Sequence, residues 1–167
     1  MEPIYAEHTF PPVYQKDACI LILGSFPSVQ SRKQSFYYMH PQNRFWRLLG
    51  DLFQEDVSHM EIPERINFLH RHNIALYDVI SSCNIIGSSD SKITDVTPAN
   101  LSKIMEVCPI QHIFLNGKKA STLFHKYFPQ YEGIATTLPS TSPANAQYRY
   151  EMLKKSWSVL TKYKKTK

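Results

Sequence analysis

The chain has 167 residues, 43% of them apolar, and a net charge of +5, which is enough for a single domain (1–167) with its own core. No apolar run nears the ~20 residues of a membrane span; the longest is ACILIL, Ala18 to Leu23, and the opening MEPIYAEHTF lacks the basic and apolar regions of a signal peptide. Cys19, Cys83 and Cys108 are too scattered for a disulfide framework or a four-thiolate metal site and fit the reduced thiols of a cytoplasmic protein.

In chain order, the first predicted strand is DACILIL, 17–23, which runs into GSFPS, Gly24 to Ser28. A Gly-led loop directly after a strand can bring backbone close to a ligand, with Ser25 or Ser28 offering hydroxyls. An ordinary turn built from Gly and Pro accounts for it as well. The loop is not a nucleophile elbow, a dinucleotide fingerprint or a P-loop, because the glycines these require are absent.

Next comes YYMHPQNRFW, 37–46, in which the His-Pro break puts His40 in a loop. NRFWRLLGDLF then sets Phe45, Trp46, Leu48, Leu49, Leu52 and Phe53 at helical spacing. Asn43, just ahead of that run, has the position of a helix N-cap. A second helix, PERINFLHRH, places Pro63 in its first turn. Its His70 and His72 stand two apart and so on different faces, and no metal-ligand constellation emerges.

The strand NIALYDVI, 73–80, carries Asp78 near its end, where a carboxylate either caps the following SSCN or reads a polar ligand. Helix PANLSKIMEV, strand IQHIFL with NGKK after it, helix KASTLFHKYF and strand GIATTL follow. PSTSPAN, 139–145, frames small hydroxyl residues between Pro139 and Pro143; its amides suit a phosphate or a simple capped connection. One long helix is expected from about Ala144 to Lys162, and the last fourteen residues of the chain hold six of the nineteen Lys and Arg. A basic end of this kind fits a polyanion partner or a merely solvated terminus.

Strands alternating with helices imply crossover units and a mostly parallel sheet covered on both faces. The near-continuous apolar strands agree with burial on both sides. Ligands of such sheets bind beyond the carboxyl ends of the strands. Here those ends carry GSFPS, Asp78 with SSCN, NGKK and PSTSP, so four separate segments are expected to converge on one rim.

ILGSFPS, YYMHPQNRFWRLL, IALYDVISSC with GSSDSKITD, IFLNGKKA and LPSTSPANA, in this order over residues 20 to 160, resemble the uracil-DNA glycosylase superfamily and within it the hypoxanthine-DNA glycosylase branch. The resemblance implies a three-layer α/β/α sandwich around a four-stranded parallel sheet. It also implies a monofunctional DNA glycosylase that flips a deaminated base, most of all hypoxanthine, out of DNA and hydrolyses its bond to the sugar. Related mismatch-specific enzymes have Gly-x-Asn-Pro in the first loop, where this chain has Phe26, and other branches open the last loop with a His, here Leu138.

By the same resemblance the water-positioning residue is Asn43. The base would lie against Gly24, Ser25, Phe26, Tyr38 (a stacking platform), Asp78 and Asn116. DNA contacts would come from Ser28, Arg44, Lys118, Lys119 and the C-terminal lysines, with Ser140, Thr141, Ser142 and Pro143 as a loop entering the duplex. The expected partner is DNA carrying deaminated bases, bound by a monomer without cofactor, metal or membrane. A uracil or broader deaminated-base glycosylase, a non-catalytic DNA-binding module and an enzyme of free nucleosides are the alternatives.

Overall fold

The computed structural model describes residues 2–163; Lys164, Lys165 and Lys167, expected near DNA, lie outside them. Strand β1 (Ile4–Glu7) is followed by β2 (Ile20–Gly24), α1 (Val29–Gln34), α2 (Phe45–Phe53), α3 (Ile62–Arg71), β3 (Ile74–Asp78) and β4 (Ile80–Ile85). The second half runs β5 (Thr94–Pro98), α4 (Ser102–Val107), β6 (His112–Asn116), α5 (Lys118–Tyr127), β7 (Ala135–Leu138) and α6 (Tyr150–Trp157). Four strands form one sheet in the order β3-β2-β6-β7, with every neighbouring pair parallel.

All five residues of β2 are buried, because helices and strands cover both of its faces. Ile20 and Ile22 point into one core with Phe45, Trp46, Leu49, Phe68 and Trp157 of α2, α3 and α6. Leu21 and Leu23 point into the other with Ile80, Cys83, Ile104 and Phe124 of β4, α4 and α5. Alternation of period two therefore sends one strand's apolar residues into two layers. Each large side chain buried this way contributes about 1.5–3 kcal/mol. The three cysteines are buried and unpaired, and no described helix is long and apolar enough to cross a membrane.

Three features depart from the predicted elements. NIALYDVI does not run as one strand: β3 stops at Asp78, and after Val79 the chain continues as β4, which absorbs the SSCN read as a loop. β4 pairs antiparallel with β1 and β5 in a second sheet of order β1-β4-β5. The closing segment is not one helix but a 3-10 turn at Pro143–Asn145, then α6, then a 3-10 turn at Ser158–Lys162. Pro143 lies at the start of the first turn, and Arg149 is extended just before α6, so the helix cannot reach back to Ala144.

Candidate active site

A cavity of about 400 Å³ opens at the carboxyl ends of β2, β3, β6 and β7. Register places Gly24 of β2 beside Asp78 of β3, and Asn116 of β6 beside Leu138 of β7. Of the expected site residues, Arg44, Lys118, Lys119 and the described C-terminal lysines are absent from the cavity wall, and the rest line it. The fold thus brings together segments that are more than a hundred residues apart in the chain.

The floor is built on a pair that the sequence did not suggest. His8 follows β1, where its N–H bonds the Ser81 carbonyl at 2.8 Å, and its Nε2 lies 2.8 Å from Asp78 Oδ2. Both side chains are nearly sealed, at 1% and 4% exposure. The imidazole is surrounded by Phe10, Phe26, Tyr37 and Tyr77, and its Nδ1 has no partner. Asp78 Oδ1 lies on the Gly24 side, close to Tyr38 Oη: a methyl at Gly24 would stand 2.5 Å from the first and 2.8 Å from the second. Gly24 is therefore required by close approach rather than by a turn. Gly24→Ala is expected to cost about 1–3 kcal/mol in a urea denaturation series, the range for overpacking; an unchanged midpoint and slope would show that Asp78 and Tyr38 yield freely.

The wall near α2 is a hydrogen-bond chain. Asn43 Oδ1 accepts the Phe45 N–H at 2.9 Å and the Thr141 hydroxyl at 2.9 Å. Thr141 in turn is gripped by Asn116, whose Nδ2 donates to Oγ1 and whose Oδ1 accepts the Thr141 N–H, both at 3.0 Å. The N-cap position of α2 falls one residue later than expected, on Arg44, which makes no side-chain cap bond. Asn43 instead takes the Phe45 N–H from just outside the helix, and this consumes the carbonyl end of its amide. Asn43 therefore presents its amino group to the cavity.

Three expected DNA contacts have other tasks. Thr141 is fully buried, so it supports the loop from beneath and cannot enter a duplex; the rim of this loop is Ser142, Pro143 and Ala144. The Arg44 guanidinium donates to the carbonyls of Ser140, Thr141, Ser142, Asn145 and Tyr148, so it clamps that loop instead of facing a phosphate. The Ser28 hydroxyl accepts the Ser31 N–H as the cap of α1. Such carbonyl-rich loops offer no acidic partner, which is why an arginine there looked free in the sequence.

Tyr38 stacks on Phe45 with ring centroids 4.1 Å apart; the Asn116 side chain bears on its buried hydroxyl oxygen without reaching ordinary hydrogen-bond geometry, and nothing accepts its hydrogen. Burial, and next the Asp78 charge, hold that phenol far above its ordinary range. Phe26 packs into the second core and lines the cavity beneath the Arg32 guanidinium. Asp90, from the GSSDSK segment, also lines the cavity and accepts the Ser25 hydroxyl at 2.7 Å. Although part of the residue meets solvent, desolvation of its carboxyl raises it above the usual carboxylate range. Neither His8 nor Asp90 carried a spacing signal that would have singled it out.

A shallower groove adjoins the cavity through Asp90, Ser140, Ser142 and Ala144, and it is lined by Lys118 and Lys119 at the start of α5. Gly117 leads into that helix at φ 99°, and a side chain there would strike Ser140 at 2.9 Å. The two lysines thus flank the mouth of the cavity without entering it.

Residues 11–164 match the uracil DNA glycosylase superfamily. A Methanosarcina acetivorans protein named hypoxanthine DNA glycosylase is 36% identical over 143 residues, covering 83% of this chain and 88% of the relative. A Methanosarcina barkeri protein of the same name is 38% identical over 112 residues, covering 66% and 71%. A Methanosarcina acetivorans protein solved by solution NMR as a candidate uracil DNA glycosylase superposes with a TM-score of 0.76 at 34% identity, covering 90% of this chain and 92% of that one.

Proposed function

The chain belongs to the uracil DNA glycosylase superfamily, and on that footing we propose that it removes hypoxanthine from DNA by hydrolysing the N-glycosidic bond, leaving an abasic site. The observation that carries this reading is the buried Asp78 carboxylate at the cavity floor. A carboxylate there accepts the N1–H that hypoxanthine has and adenine lacks. The name shared by two relatives supports the same substrate.

The damaged nucleotide must first leave the stack, at a cost of a few kcal/mol that is least for mismatched or damaged pairs. Pro143, at the rim of the clamped loop, is placed to fill the gap it leaves, and the lysines at 118 and 119 supply phosphate contacts. In the cavity the base lies between Phe26 and the Asn43 wall with its reading edge on Asp78. As the C1′–N bond lengthens, the sugar becomes oxocarbenium-like and the purine anionic. The Asn43 amino group holds the attacking water by its oxygen, close to C1′; as that oxygen bonds to C1′, the proton the water sheds passes to the departing purine anion. No lysine lines this cavity among the described residues, so the water rather than an amine completes the reaction.

Defined duplexes carrying hypoxanthine, xanthine or uracil, followed by alkaline cleavage on a gel, test the reading. Hypoxanthine is expected to be released fastest. Preferential release of uracil would assign the scaffold to the other substrate, and tight binding without turnover on every duplex would make it a non-catalytic module.

A further inference from the structure

We propose that His8 is a specificity-determining positioning residue, which holds Asp78 so that its free oxygen and the neighbouring Tyr38 hydroxyl form an acceptor–donor pair that reads the adjacent N–H and C=O of a lactam base. The inference rests on the glycosylase reading and adds to it the class of base edge that the floor accepts.

His8 Nδ1 is buried without an acceptor, so a hydrogen there would be stranded. The tautomer that avoids this cost carries its hydrogen on Nε2, which donates to Asp78 Oδ2 at 2.8 Å. One carboxylate oxygen is thereby anchored from behind, and Oδ1 is left on the cavity side. Tyr38 Oη is likewise buried, and although the Asn116 side chain bears on its oxygen, nothing accepts its hydrogen. Both atoms approach the same point beside Gly24, at 2.5 and 2.8 Å, yet they do not bond each other. A buried donor without an acceptor stands next to a carboxylate oxygen without a donor, and a ligand carrying the complementary pair satisfies both.

Hypoxanthine presents N1–H beside O6, and xanthine and uracil present equivalent pairs. Adenine reverses the pattern with a lone pair at N1 beside an amino group, so both floor atoms would meet the wrong partner. Guanine shares the lactam edge, and its exclusion falls to its 2-amino group and to the cost of breaking its pair. The edge reading also assigns Tyr38 a use for its hydroxyl, since one face of its ring is already taken by Phe45. The second sheet acquires a purpose as well: β1 pairs with β4 and delivers His8 under the end of β3.

The test is single-turnover release of hypoxanthine by the full chain and by His8→Leu, His8→Gln and Tyr38→Phe. His8→Leu is expected to slow release about ten- to a hundredfold. His8→Gln, which keeps an N–H at similar reach, should restore it to within about threefold of the unaltered protein. Tyr38→Phe, which keeps the ring and loses the donor, should slow release about tenfold. All three should bind a duplex carrying an abasic site as the unaltered protein does, because that ligand has no base to read. Full activity in His8→Leu, or His8→Gln no better than His8→Leu, overturns the role of His8. Full activity in Tyr38→Phe removes the donor half. Imidazole ¹⁵N spectra that place the hydrogen of His8 on Nδ1 overturn the pair whatever the enzyme acts on. No hypoxanthine release by the unaltered protein overturns the glycosylase reading itself, and the proposal with it.

Discussion

Asn43→Ala is expected to slow single-turnover excision about a hundred- to a thousandfold while binding to damaged duplex persists, the cost of losing one preorganised polar group at a reacting centre. The geometry adds a second variant. Asn43 Oδ1 is committed to the Phe45 N–H and the Thr141 hydroxyl, so the amino group is the end of the amide left for a cavity ligand. An amide N–H orients water by its oxygen and cannot take its proton. Asn43→Asp keeps the two anchoring bonds and exchanges that donor for a second carboxylate oxygen. It should therefore be no faster than Asn43→Ala. An aspartate variant at or above the native rate would mean that proton abstraction, and not orientation, is what this position supplies.

Asp78→Asn is expected to collapse the preference for hypoxanthine over adenine, with hypoxanthine release falling about a hundredfold or more; sites built around a specific hydrogen bond reject the mismatched partner by such factors. His8 determines the direction of the effect. Its N–H holds whichever side-chain atom can accept, so the carboxamide turns its oxygen toward His8 and its amino group toward the base. A donor then faces the N1–H of hypoxanthine, while adenine, with a lone pair there, becomes the better fit. Paired excision assays on duplexes carrying either base measure the ratio directly. An unchanged ratio would remove Asp78 from base recognition.

The predicted strands of the parallel sheet all appear; β2, β3 and β6 were legible because largely buried strands are written as mostly apolar runs, whereas β7, ATTL, is an edge strand with two exposed threonines. The second sheet was illegible for the converse reason. β1 reads IYAE and β5 reads TDVTP, short and largely exposed, with no run or alternation to mark them. β4 was hidden because Val79 and Ile80 continue the apolar run of β3 while the chain changes sheets. The closing helix was overextended because residues 144–162 hold enough apolar positions to suggest one period, whereas Pro143 and the extended Arg149 break it.

At the site, residue types were readable and hydrogen bonds were not. Arg44 stood next to Asn43 in the chain and looked equally available, yet backbone carbonyls from residues 140–148 consume it. Thr141 was expected to probe DNA and is instead the fully buried link between Asn43 and Asn116. His8 lies in a polar arm 70 residues from its partner, and nothing local distinguishes it from a surface histidine.

Apolar periodicity and short loop motifs are local properties of a chain, so the layered fold, the four strand ends that meet at one rim and the family to which their motifs belong were legible before folding. Only folding set which end of the Asn43 amide faces the cavity, that Arg44 and Thr141 support the loop from within, and that a histidine just after the first strand stands behind Asp78. Those outcomes depend on bonds between residues 70 to 104 positions apart, and a donor's partner exists only once the chain has folded around it.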